Sequence, residues 1–178
     1  MPYLTAAVVM LGVLCGLNLM LLLAVVRRLK EHARTLAGLS GAGDARLPEA
    51  GSAVGHFDAL STDGEAVSRH ALEPGTLVGF FSPGCEPCTE NLPKFTAYAA
   101  ALPGGRCRVL AVIAGTDDSE DMQVALARVS RVVVEAHGGP VAAAFGVSAF
   151  PTFCVLDGES VITAAGFDLS ALPNPVTA

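Results

Sequence analysis

Two cysteines separated by two residues, Cys85-Glu86-Pro87-Cys88, are the most reactive arrangement in this chain of 178 residues. They follow an apolar run at 76–81 through Ser82-Pro83-Gly84, and a predicted helix over 86–101 begins with them. A thiol at a helix start faces unpaired amide N–H groups and the positive end of the helix dipole. Its thiolate is stabilised there, and a pKa of ~8.5 can fall to about 7 or lower. Cys85, at the first position, is the predicted attacking thiolate. Cys88 lies one turn later on the same side, close enough to close a disulfide. Pro87 suits the first turn, where its missing N–H costs nothing. Glu86 has two readings: it tunes Cys85, or it is a solvated acid favoured by the dipole.

Other uses of a Cys-x-x-Cys pair are less well supported. A zinc site needs two further ligands. Cys107 and Cys154 fall at or within predicted strands, without paired spacing. No histidine follows Cys88, so the motif for covalent haem attachment is absent. His56, His70 and His137 show no metal-ligand spacing, and neither a metal nor a cofactor is expected. Five cysteines, an odd number, do not make a disulfide scaffold; Cys107 and Cys154 are expected to pack as small apolar groups. Downstream, Phe150-Pro151-Thr152 introduces a strand. Proline is tolerated there and a cis peptide is available to it. Beside a redox pair, that is where a client chain could be held.

The elements that must position these residues can be read from periodicity and turn chemistry. Strands are expected at 55–60, 76–81, 108–114, 132–135, 152–157 and 161–165, with turns at Asp63-Gly64, Pro74-Gly75 and Asp157-Gly158. Helices are expected at 86–101, from a cap at Asp117 or Asp118 through about 129, and at 141–145. Strand, helix, strand, helix, strand and a closing hairpin imply an α/β domain with a central, largely parallel sheet flanked by helices.

Three segments are expected: a transmembrane anchor at 1–26, a juxtamembrane stub and linker at 27–52, and the redox domain at 53–178. Residues 4–26 carry no charge. At ~1.5 Å per residue they span roughly 34 Å, against a hydrocarbon core of about 30 Å. The run is too long for a signal-peptide core, and no basic residue precedes it. Cys15 is preceded by Leu14 rather than a small residue, which disfavours lipidation. Arg27, Arg28, Lys30 and Arg34 follow the span, and the positive-inside rule alone would leave the domain in the cytoplasm. Residues 1–50 carry a net charge of +2 and the remainder −8. An acidic domain without a basic stripe argues against nucleic acid as a partner.

The sequence resembles the thioredoxin superfamily, in particular its membrane-anchored TlpA/ResA/MauD-type branch, over roughly residues 53–167. Cys85-Glu86-Pro87-Cys88 resembles the ResA-type centre, and Phe81-Ser82-Pro83 the MauD-type approach to it. Pro93 matches the helix-kinking proline of the superfamily, and Pro151 its cis-proline. The resemblance implies a thioredoxin-like fold, a central mixed sheet flanked by helices and preceded by one transmembrane helix, and a membrane-anchored protein disulfide oxidoreductase, acting as reductase or isomerase. Its partners would be a disulfide- or dithiol-bearing protein and a membrane or soluble redox partner, with the lipid bilayer met through residues 4–26. It also implies a domain on the outer face of the membrane, against the charge rule. Alternatives are a peroxiredoxin-like peroxide reductase, for which Ser82 has suitable spacing but Val78 replaces the needed proline, and a metal- or cofactor-handling chaperone. The departures are Gly84 in place of a common tryptophan, Gly79 in place of a buried acid, a bulky Phe150 before Pro151, and a shortened C-terminus. With only about one turn at 168–172, one sheet face is expected to need cover from a partner, a second copy or the membrane.

Overall fold

The structure, a computed structural model, describes residues 47–115 and 119–173, together with Tyr3, Met10, Leu11, Gly12, Leu14 and Met20. Residues 1–43 and 44–178 form separate compact units. In the first, the described residues are helical and exposed. The rest of the expected 4–26 span, and the linker to position 46, lie outside the described residues. Among the described residues, no helix is long and apolar enough to cross a membrane.

The second unit is built on a five-stranded sheet in the order β5-β4-β3-β6-β7. Its strands are β3 (Leu77–Phe81), β4 (Val109–Ala114), β5 (Arg131–Glu135), β6 (Thr152–Leu156) and β7 (Ile162–Gly166). β3, β4 and β5 are parallel, whereas β6 runs antiparallel to β3 and β7 antiparallel to β6. Three helices pack on the sheet: α1 (Glu86–Ala101), α2 (Glu120–Ala127) and α3 (Pro140–Phe145). β3 and β4 are buried along their whole length, as unbroken apolar runs with both faces covered must be.

Side-chain alternation sends successive residues to opposite faces. Leu77, Phe81, Val109, Ala111, Ile113 and Phe153 join the core under α1 and α2. Val78, Phe80, Leu110, Val112, Cys154 and Leu156 join the core under α3. In the first core Phe95 of α1 meets Phe81 edge-on at 5.1 Å and stacks on Phe153 at 5.8 Å. Burying one such ring contributes roughly 1.5–3 kcal/mol, and this cluster fixes α1 against the strand that leads into the cysteines. Gly79 belongs to the same contact. A Cβ there would lie 2.5 Å from Phe95 Cε2. The packing of α1 thus leaves no room for an acid at this position.

The expected helix at 86–101 and the turns at Asp63-Gly64 and Asp157-Gly158 agree with the structure. Other expectations need correction. The first strand, β1, is only Asp58–Leu60 and pairs with an unanticipated β2 (Ala66–Ser68), forming a separate two-stranded sheet. Residues 51–55 instead make backbone bonds to Ile162, Ser160 and Ala144. α2 begins at Glu120, with Ser119 as N-cap; Asp117 and Asp118 lie outside the described residues. It ends at Ala127, where Ser130 turns back with its amide and hydroxyl on the Leu126 carbonyl.

The bare sheet face expected at the C-terminus is also corrected in part. A 3-10 turn at Leu169–Ala171 brings Leu169 and Leu172 into the core that contains Phe153 and Phe95. Tyr98 donates to the Pro173 carbonyl and Lys94 lies 3.8 Å from Asp168, which ties the turn to α1. Phe153 is fully buried beneath, while Val155 and Ala164 stay half-buried.

Candidate active site

β3 ends at Phe81, and the chain turns through Ser82-Pro83-Gly84 into α1. The Cys85 amide donates to the Ser82 carbonyl at 3.3 Å, closing the turn. Proline second and a glycine at φ +71° third are the marks of a type II turn. That backbone position, which favours glycine, is Gly84, where the resemblance implies a tryptophan. Cys85 therefore arrives as the N-cap of α1, with Pro87 in the first turn and Glu86 exposed beside it. On the neighbouring strand, Phe80 pairs with Thr152. This register brings Phe150-Pro151 alongside the start of α1. The Phe150–Pro151 peptide is cis, as the resemblance implies.

The two sulfurs differ in their surroundings. Cys85 is half-buried; its sulfur accepts from the Cys88 amide at 3.3 Å and reaches the Phe150 carbonyl at 3.6 Å. Cys88 is buried, and its sulfur accepts from the Ser82 amide at 3.5 Å. The Cys88 thiol, hydrogen-bonded to the Cys85 sulfur, lowers the Cys85 pKa most. Partial burial opposes it and the Cys88 amide adds to it, with the net result at about 7. The same thiol–thiol hydrogen bond, followed by burial, holds the proton on Cys88 and pushes its pKa far up, against the Ser82 amide. Cys85 is thus the sulfur that ionises near neutrality and is open to solvent, and Cys88 is the protonated, enclosed one.

This difference has a direct reading in solution. Iodoacetamide is expected to modify Cys85 of the reduced chain at a rate that rises with pH and is half-maximal near pH 7. Below that midpoint the rate falls about tenfold per pH unit, with the thiolate fraction. Cys88 should stay unmodified over the same range. Peptide mass mapping separates both from exposed Cys107. A Cys85 midpoint at or above the free-thiol value would contradict the geometry.

The other two described cysteines stand apart. Cys154 is fully buried between β3 and β7, and burial pushes its thiol up. Cys107, expected to pack as a small apolar group, is instead exposed in a 3-10 turn. Among the described residues, no group of three or more His, Cys, Asp or Glu side chains is arranged to hold a metal. One site neighbour, His137, is invisible in the spacing of residues. Ser82 Oγ lies 3.1 Å from His137 Nε2, rather than being turned to Cys85 as a peroxide-reducing centre would need. The His137 ring also stands edge-on to Phe150, 6.0 Å between centroids. The spacing of Ser82 before Cys85 is visible in the sequence, but nothing there joins it to a histidine 55 residues away.

Solved structures give the frame for this geometry. The chain is similar to the thioredoxin domain of a thiol-disulfide oxidoreductase from Bacteroides vulgatus, with 20% identity and a TM-score of 0.54, covering 72% of this chain and 95% of that one. The domain has the thioredoxin fold. A thiol:disulfide interchange protein from Bacteroides sp. is similar over 72% of this chain and 84% of its own, with 18% identity and a TM-score of 0.52. A thio-disulfide isomerase from Thermus thermophilus is similar over 66% of this chain and 85% of its own, with 19% identity and a TM-score of 0.50. No family model and no curated relative matches the chain. Within the thioredoxin fold, the α2–β5–α3 excursion is what carries His137 to the site. Glu135, at the end of β5, accepts from the Val141 and Ala142 amides at 2.9 and 2.8 Å. That carboxylate satisfies the start of α3 and pins the 136–139 loop.

Proposed function

We propose that this protein is a membrane-anchored thiol–disulfide oxidoreductase that exchanges a Cys85–Cys88 dithiol for a disulfide in partner proteins, as reductase or isomerase. The observation that carries the reading is the contrast between the two sulfurs: Cys85 accessible and ionising at about 7, Cys88 buried and protonated one turn away. The Cys85 thiolate attacks a client disulfide, forming a mixed disulfide and releasing one client sulfur as thiolate. Cys88 then loses its proton and attacks the Cys85 sulfur. The Cys85–client bond breaks, the second client thiolate leaves, and Cys85–Cys88 closes. The cis Phe150-Pro151 segment, with its carbonyl against Cys85, is the place for an extended client backbone. Residues 4–26 provide the anchor, and the domain faces outward.

The fold similarity and the site geometry support this reading together. It is tested by reduction of a model disulfide protein, insulin, with dithiothreitol as electron source. The chain is expected to accelerate reduction well above the dithiothreitol background. A rate equal to that background would sink the reading.

A further inference from the structure

We propose that the Ser82 backbone amide is a catalytic donor for the second step of exchange, holding the Cys88 sulfur as a thiolate while it attacks Cys85. This deepens the oxidoreductase reading and rests on it. The amide N–H donates to the Cys88 sulfur at 3.5 Å, and both residues are buried. In the dithiol that sulfur is a thiol, a weak acceptor. A buried amide on a weak acceptor has given up water without full compensation. The compensation comes when the sulfur is an anion, because hydrogen bonds to ionised groups are roughly twice as strong as neutral ones. Interactions that strengthen only as a reaction proceeds are the ones that accelerate it.

The donor is fixed before the reaction starts. On one side of the 81–82 peptide, Phe81 is fully buried and meets Phe95 and Phe153 edge-on at 5.1 and 5.7 Å. On the other, the Ser82 carbonyl accepts the Cys85 amide at 3.3 Å and Ser82 Oγ lies 3.1 Å from His137 Nε2. The peptide is therefore held at both ends with its N–H on the sulfur. Cys88 needs this donor, because its burial disfavours the thiolate. In the mixed disulfide, Cys85 is capped and no longer shares the Cys88 proton. Gly79, filled over by Phe95, brings no charged group from the strand. Burial and the Cys85 sulfur keep the proton on Cys88, whereas the Ser82 amide favours its loss.

The Cys88 proton passes to water, and the thiolate left behind accepts the Ser82 amide. That sulfur attacks Cys85. The Cys88–Cys85 bond forms, the Cys85–client bond breaks, and the electron pair leaves on the client sulfur, which is thereby reduced. Cys85 and Cys88 are oxidised to the disulfide. Once the charge has gone, the Cys88 sulfur is again a weak acceptor, so the donor acts on the reacting thiolate and not on the product.

The test uses the full chain with Cys15 and Cys107 replaced by serine, mixed with dithiobis(nitrobenzoate). Attack by Cys85 releases a first nitrothiobenzoate and resolution by Cys88 a second, so the two steps are separate absorbance phases. Two forms of this parent are compared: Ser82→Ala, which keeps the amide, and a chain with lactic acid at position 82, introduced by nonsense suppression. The second differs from the first only in an ester oxygen in place of the N–H. Loss of the donor raises the Cys88 pKa; a rise of about two pH units cuts the thiolate ~100-fold, and roughly tenfold of that returns as nucleophilicity. The ester chain is therefore expected to run the second phase roughly tenfold slower than Ser82→Ala at pH 7, with the first phase within about twofold. Its thermal midpoint should stay within about 4 °C of Ser82→Ala, because the bond it lacks is weak in the dithiol. A second phase within about twofold of Ser82→Ala, equal slowing of both phases, or an ester chain that fails to fold would overturn the proposal. Absence of the first phase in the parent chain would instead sink the oxidoreductase reading beneath it.

Discussion

Replacing Cys85 with serine is expected to lower the rate of insulin reduction by roughly 10³-fold or more, to the dithiothreitol background. The size of the effect follows from the chemistry, because a serine hydroxyl neither ionises near neutrality nor forms a mixed disulfide. The substitution is also clean structurally. Cys85 is the N-cap of α1 and accepts the Cys88 amide, and serine is among the best residues for that position. Thermal unfolding of Cys85→Ser should therefore stay close to the wild type while turnover disappears. Retained turnover would mean that another sulfur, with exposed Cys107 first in line, carries the reaction.

Replacing Cys88 with serine is expected to stop the cycle one step later. Cys85 keeps its place at the helix start and still attacks, but nothing resolves the adduct. A covalent Cys85–insulin complex should accumulate on a non-reducing gel and disappear on reduction. Cys88→Ala adds a second readout. The Cys88 thiol is the largest influence holding the Cys85 pKa down. Without that donor the midpoint for Cys85 alkylation should move above 7. Serine retains a hydroxyl donor and should shift it less. Wild-type turnover in Cys88→Ser would refute the division of labour between the two cysteines.

Much of this site is legible in the sequence alone. A Cys-x-x-Cys pair after a buried strand and before a helix already implies a thiol at an N-cap, and the expected helix limits match Glu86–Ala101. Pro151 was legible only beside the redox pair, because a proline at a strand start is by itself ordinary. The relation of Cys85 to Phe150, by contrast, depends on β3 and β6 lying side by side. What failed to show was of two kinds. β2 is three residues long with one buried side chain, too short for any period to register. His137 gave no signal because its neighbours lie after β3, after β4 and before β6. Only the sheet order β5-β4-β3-β6 gathers them at one end. The expectation of an uncovered sheet face failed for a related reason: Leu169 and Leu172, on and just after a 3-10 turn, cover Phe153 without a helix. A count of helical residues cannot anticipate that.

The measurement that bears most directly on the central claim is disulfide mapping of the full chain after mild oxidation, followed by equilibration against graded mixtures of reduced and oxidised dithiothreitol. The account predicts one intramolecular bond, between Cys85 and Cys88, lost and regained in a single reversible transition while Cys107 and Cys154 keep free thiols. A chain in which Cys85 and Cys88 never pair, under any of these mixtures, would contradict it.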